Sequence, residues 1–230
     1  MKRSEINVIM EDCRKFLKEM KFHLPAFADW TPEEWTRKGK ECSEIVENQL
    51  GWDITDFGSN DFHSRGLFLF TIRNGNFKLA EQNIGKNYAE KIMIVEEEQL
   101  TPNHFHFIKM EDIINRGGGN LLLQFWNATE DEKLAESDVQ ISVDGVVVDL
   151  KPGEILRLKP GESVTIPQKI YHCFYGEKGK GKVLVGEVSG VSDDYIDDRF
   201  FEELARFPGI EEDEKPKFLL YDDYVKYYKE

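Results

Sequence analysis

The stretch TPNHFHFIKMEDIINRGGGN, residues 101–120, sets His104, His106, Lys109 and Glu111 within eight positions of one another. Alternate residues of a β-strand share a face, so His104 and His106 present two imidazoles side by side while Phe105 and Phe107 point the other way. After a bend at Lys109 and Met110, Glu111 can return a carboxylate toward the same point, and Gly117, Gly118 and Gly119 supply the backbone freedom of a tight turn. Imidazole with carboxylate suits a divalent transition metal. A bare HxH pair is more often a strand with solvated histidines, so the reading depends on what surrounds it.

A fourth ligand candidate stands downstream in PGESVTIPQKIYH, residues 160–172, where a Pro160-Gly161 turn, a short strand through Val164 and Ile166, and a second turn after Pro167 lead into His172. The segment resembles the second motif of the cupins, as the HxH stretch with its later glutamate and glycine resembles the first. Three positions depart from those motifs: Glu98 and Lys169 stand where glycine is usual, and Gly176 where asparagine is usual. None of the three is a ligand position.

The flanking sequence reads as short strands. GLFLFTIRNGN (66–76) alternates Phe68, Phe70 and Ile72 into an Asn74-Gly75 hairpin turn. EKIMIVE (90–96), NLLLQFWNA (120–128), EILRL, SVTIP, YHCFY and KVLVGEVS follow, and Asp144-Gly145 joins SDVQISV to VVVDL as a second hairpin. This succession predicts a mainly β fold, an antiparallel sandwich or barrel, and the resemblance to the cupin motifs implies the jelly-roll type cupin barrel. We expect residues 66–230 to form that barrel with a C-terminal capping segment, and residues 1–65 a helical extension packed on it, within one structural domain.

In the extension, Ile6, Ile9, Met10, Cys13, Phe16, Leu17 and Met20 follow helical spacing from Glu5 to Met20. Thr31, Pro32 and Glu34 read as a capping box opening a second helix with Trp35, Cys42, Ile45 and Val46 on one face. This helix pair faces either the barrel or a second subunit. Beyond Ser189, Phe200, Phe201, Leu204 and Phe207 fall at helical spacing in a tail that either caps the fold or crosses the barrel mouth.

A net charge of −14 argues against nucleic acid or an anionic membrane as partner. No apolar run approaches a membrane span, and three cysteines without CxxC spacing fit free thiols in the cytoplasm.

More closely, LFTIRNG (69–75), EKIMIVEEEQLTPNHFHFIKMEDIINRGGGNL (90–121), LVGEVSGVSDD (184–194) and DRFFEELARFPGIEEDE (198–214) resemble the D-lyxose ketol-isomerases, a cupin-type sugar isomerase family. The resemblance implies a divalent cation, usually Mn2+ with Zn, Fe, Co or Ni as substitutes, held by His104, His106, Glu111 and His172. It implies a homodimer that interconverts D-lyxose with D-xylulose and D-mannose with D-fructose, with Lys109 and Glu202 transferring protons. In that chemistry a carboxylate carries a proton between C1 and C2 through a cis-enediol, the role expected of Glu202, while Lys109 donates to the developing oxyanion. Lys109 meets that role only if the bend corrects its odd spacing from His106. Gln124, Glu187 and Arg199 are candidate contacts to sugar hydroxyls. The same ligand set would also serve a cupin dioxygenase, or a non-catalytic sugar-binding cupin in which the metal staples the barrel.

Overall fold

The computed structural model describes residues 1–229. Its strands are β1 (Gly51–Thr55), β2 (Leu67–Arg73), β3 (Tyr88–Val95), β4 (Thr101–His106), β5 (Glu111–Gly118), β6 (Leu121–Asn127), β7 (Val139–Val143), β8 (Val146–Leu150), β9 (Ile155–Leu158), β10 (Ser163–Ile166), β11 (Ile170–Gly176), β12 (Val183–Gly190) and β13 (Asp198–Phe200). They form two antiparallel sheets in the orders β1-β2-β3-β12-β5-β10-β7-β8 and β13-β4-β11-β6-β9. The two face each other as a jelly-roll sandwich, because one apolar cluster takes Leu69, Met93, Ile113, Val164 and Val185 from the first sheet and Leu123, Phe125, Leu158 and Phe174 from the second.

The continuous apolar runs of β2 and β3 follow from burial on both faces. Leu67 and Leu69, with Met93 and Val95, point between the sheets. Phe68, Phe70 and Ile72, with Ile92 and Ile94, point outward and meet Ile6, Ile9, Met10, Cys13 and Leu17 of helix α1 (Arg3–Glu19). Strands of an antiparallel sheet usually alternate apolar and polar residues; here a helix covers the second face and removes the need for polar positions. The stripe of α1 is thus spent on the chain's own sheet.

The Asp144-Gly145 hairpin forms as expected, with Val143 opposite Val146 and both turn residues at positive φ, 49° and 83°. Asn74-Gly75 does not make a hairpin. β2 and β3 pair, but residues 74–87, including a short helix at Phe77–Ala80, lie between them. Asn74 is buried and its amide donates to Ser192 O (2.7 Å) and Asn48 O (3.1 Å), so it ties three loops together instead of turning the chain. The Thr31 capping box is present, with Thr31 N donating to Glu34 Oε2 (2.8 Å) and Glu34 N to Thr31 Oγ1 (3.2 Å). Its helix ends after one turn, at Pro32–Trp35, and Ser43–Glu47 is a separate helix beyond Gly39.

Ahead of residue 66 the chain also supplies a strand, β1, at the edge of the larger sheet. The helix expected from the spacing of Phe200, Phe201, Leu204 and Phe207 does not form. β4 would be the outer strand of the smaller sheet, and β13 completes its hydrogen bonds, Asp198 opposite His106 and Phe200 opposite His104. That pairing lays the tail across the open end of the sandwich. No described helix is long and apolar enough to cross a membrane.

Candidate metal centre

His172 on β11 lies opposite His104 on β4, which brings the third imidazole beside the first two. Phe105 turns away and packs against Tyr171 at 4.8 Å between ring centres. Between β4 and β5 the chain bends at residues 107–110, fixed by Asp197, whose carboxylate accepts from Ile108 N (2.6 Å) and Lys109 N (3.2 Å). This bend corrects the odd spacing of Lys109. It directs Nζ to 3.1 Å from Glu111 Oε2 and 2.7 Å from Glu187 Oε1.

Ligand atoms of His104, His106 and His172 all lie within 4.8 Å of one another. His104 Nδ1 is 2.8 Å from Pro102 O and His172 Nδ1 is 3.1 Å from Ile170 O, so each ring carries its proton on Nδ1 and turns the Nε2 lone pair inward. His172 Nε2 lies 3.0 Å and His106 Nε2 3.3 Å from Glu111 Oε1, yet none of these three buried atoms makes a hydrogen bond. A lone pair facing a carboxylate oxygen at this distance is repulsive unless a cation lies between them. Adjacent ligands of an octahedral ion bound at about 2.1 Å stand roughly 3 Å apart, so the donors fit a divalent ion.

The charges agree with that fit. Burial, with the neighbouring His172 and His106, holds His104 well below its usual range and keeps its lone pair free. Burial and Lys109 push His106 down, but Glu111 and Asp198 outweigh them and lift it to about 9, a proton taking part of the place of a cation. Burial alone would raise Glu111; Lys109 and His106 hold it well below the carboxylate range.

From Glu111 an alternating chain of buried charges runs into the fold. Lys109 lies between Glu111 and Glu187; Lys91 is 3.7 Å from Glu187 Oε1 and 3.2 Å from Asp194 Oδ1; Arg206 is 2.9 Å from Asp194 Oδ2 and also bonds Asp53. Each cation faces two carboxylates, as buried charges require. Burial would lower the Lys109 ammonium, but Glu111 and Glu187 raise it, so it keeps its proton more firmly than its proximity to a metal alone implies. Glu187 stays a carboxylate because Lys109 and Lys91 overcome its burial, and Ser189 Oγ donates to it at 3.0 Å.

The other expected site residues lie elsewhere. Glu202 is exposed and paired with Arg65 outside the cavity. Gln124 sits on the outer face of β6, its amide donating to Gly153 O at 2.7 Å while Leu123 and Phe125 point inward. Arg199 is half-exposed and pairs with Glu132 at 2.6 Å. In their place the cavity is lined by Lys91, Asp194, Asp198, Phe200 and Arg206, none of them a candidate from the sequence. One signal was present: a lysine inside the apolar run EKIMIVE needs an acid partner if the strand is buried on both faces.

Residues 1–224 match the model of the D-lyxose isomerase family. The chain is 46% identical over 228 residues to the D-lyxose/D-mannose isomerase of Escherichia coli O157:H7, covering 99% of this chain and 100% of that one. It is equally similar, at 46% over 228 residues and 99% of both chains, to the enzyme of that name from Serratia proteamaculans. Among solved structures it resembles Acinetobacter sp. DL28 L-ribose isomerase in complex with L-ribose (TM-score 0.60, 15% identity, 91% of this chain and 98% of that one). It also resembles Cellulomonas parahominis L-ribose isomerase with L-ribose (TM-score 0.59, 16% identity, 92% and 97%). At these identities the two structures bear on the fold alone.

Proposed function

The chain belongs to the D-lyxose isomerase family, and from that premise we propose that it interconverts D-lyxose with D-xylulose and D-mannose with D-fructose, with Mn2+ in the site. The observation that carries the metal reading is the convergence of inward-facing histidine nitrogens and an unbonded Glu111 oxygen. When bound, the cation supplies Lewis-acid polarisation of the sugar carbonyl and its neighbouring hydroxyl, an effect worth several kcal/mol.

The chain's own residues supply the proton transfers. Glu187 is the base in this reading: it is buried, ionised, lines the cavity and is not among the four ligands, so its carboxylate is free to take a proton from one carbon and return it to the other. Lys109 holds a proton at Nζ for the developing oxyanion, and its contacts with Glu111 and Glu187 fix where that proton points. Asp194 and Arg206, farther along the charge chain, are placed to contact hydroxyls at the distal end of the sugar. The cavity offers about 30 Å³, room for only a few waters, so in this reading the segment 198–206 yields to admit a linear sugar. A cytoplasmic setting is supported by three buried free thiols, and a homodimer by the family resemblance.

The test is to strip the protein with chelator, restore Mn2+ and follow ketose formation from a panel of aldoses in deuterated water. Ketose carrying solvent deuterium at the transferred carbon is expected. Turnover without deuterium would remove the proton-transfer role of Glu187, and absence of ketose from every aldose would end the proposal.

A further inference from the structure

The three imidazoles are oriented in two different ways. His104 and His172 each set Nδ1 against the carbonyl two residues earlier in their own strand, Pro102 O and Ile170 O. His106 instead has Asp198 Oδ1 2.8 Å from its Nδ1, a carboxylate delivered by β13 from a distant part of the chain. The Asp198 side chain is buried, and its Oδ1 and His106 Nδ1 face each other as a close pair without the geometry of a hydrogen bond, neither atom having another partner among the described residues. The same strand sets the Phe200 ring on His104, 5.3 Å between centres and 30° between planes, and Phe201 N on Asn103 O at 2.9 Å.

We propose that Asp198 is a positioning residue for the cation, acting through His106, and that through it metal binding and docking of the segment 198–206 are one linked event. The inference rests on the metal reading above. A carboxylate on the far nitrogen of a ligating histidine fixes ring and tautomer and raises the basicity of the ligating nitrogen. Two of the three histidines therefore keep their Nδ1 partners when the segment lifts, and His106 loses its own. A three-residue strand adds little by itself, so what anchors it to the site matters. By linkage, the factor by which the docked segment tightens the cation is the factor by which the cation holds the segment down.

The experiment titrates chelator-stripped full-length wild type, Asp198→Asn and Asp198→Ala with Mn2+ by calorimetry, records the visible spectrum of each with Co2+, and follows hydrogen exchange of residues 198–206 with and without Mn2+. Asp198→Ala is expected to weaken Mn2+ binding roughly 10- to 100-fold. Asp198→Asn, whose amide oxygen still accepts, should lose less, and the Co2+ spectrum should shift in both. Mn2+ should slow exchange of 198–206 in wild type and lose that effect in Asp198→Ala. The isosteric Asp198→Asn carries the test if the alanine variant does not fold. Wild-type-like Mn2+ affinity and Co2+ spectrum in the folded variants, or exchange of 198–206 indifferent to Mn2+ in wild type, would overturn the linkage while leaving the metal site standing. Wild type that binds no Mn2+ would remove both.

Discussion

Replacing Glu187 with glutamine separates the buried glutamate from the surface one. The substitution keeps the side-chain volume, and its amide oxygen can still accept from Lys109 Nζ, now 2.7 Å from Glu187 Oε1. Lost is the charge able to take a proton from carbon, and a positioned base contributes about 10²- to 10⁴-fold, or about 2.7–5.4 kcal/mol of barrier. The fold also loses a carboxylate shared by Lys109 and Lys91, which costs about 1–3 kcal/mol. At about 2–4 °C per kcal/mol for a chain of this size, the melting temperature should fall while the protein remains folded at 25 °C. Steady-state assays with Mn2+ should show kcat reduced by two to four decades (about 10²- to 10⁴-fold) with KM nearly unchanged, and calorimetry should show Mn2+ affinity retained. Glu202→Gln, altering an exposed partner of Arg65, should turn over normally. Full activity in Glu187→Gln together with loss in Glu202→Gln would refute the assignment and restore Glu202 as the base.

Arg206→Met leaves Asp53 without a cation in the interior and should cost about 3–5 kcal/mol in chemical denaturation; a loss under about 0.5 kcal/mol would mean that the charge chain does not brace the fold. Glu98 and Lys169, where the cupin motifs place glycine, keep a left-handed backbone at φ 57° and 61°. Glu98→Gly and Lys169→Gly should therefore be neutral or stabilising by at most about 1 kcal/mol in the urea midpoint, whereas valine at either position should destabilise by at least that much. Burial raises the thiols of Cys13 and Cys42 and pushes Cys173 up to about 11. Native protein should resist a thiol reagent near pH 8 and expose three reactive thiols on denaturation.

What could be read from the residues were features whose partners lie close in sequence. HxH on a strand, a glutamate after a bend and Asp144-Gly145 between alternating runs each specify local geometry, and all three stand as expected. Asn74-Gly75 carries an equally strong local signal but gives a different result, because the Asn74 amide is claimed by loops at Asn48 and Ser192. The tail is the clearest case. Its aromatic spacing fits a helix, yet an unpaired edge on β4 offers backbone partners that an isolated turn of helix cannot match. Once β13 pairs there, Asp198 and Phe200 face the histidines and Glu202 falls outside. Periodicity reports which face of an element is apolar, and says nothing of which distant edge will recruit it.

The sheet order has a bearing on synthesis. β12 lies between β3 and β5, although about ninety residues separate β3 from it in the chain. A nascent polypeptide still on the ribosome at residue 180 therefore holds two half-sheets with open edges and apolar faces and no strand to join them. Such non-local pairing folds slowly and exposes sticky surface while it waits. Glu187 and Asp198 both lie beyond residue 180, so the proposed base and the carboxylate behind His106 join the three histidines only after β12 and β13 have emerged.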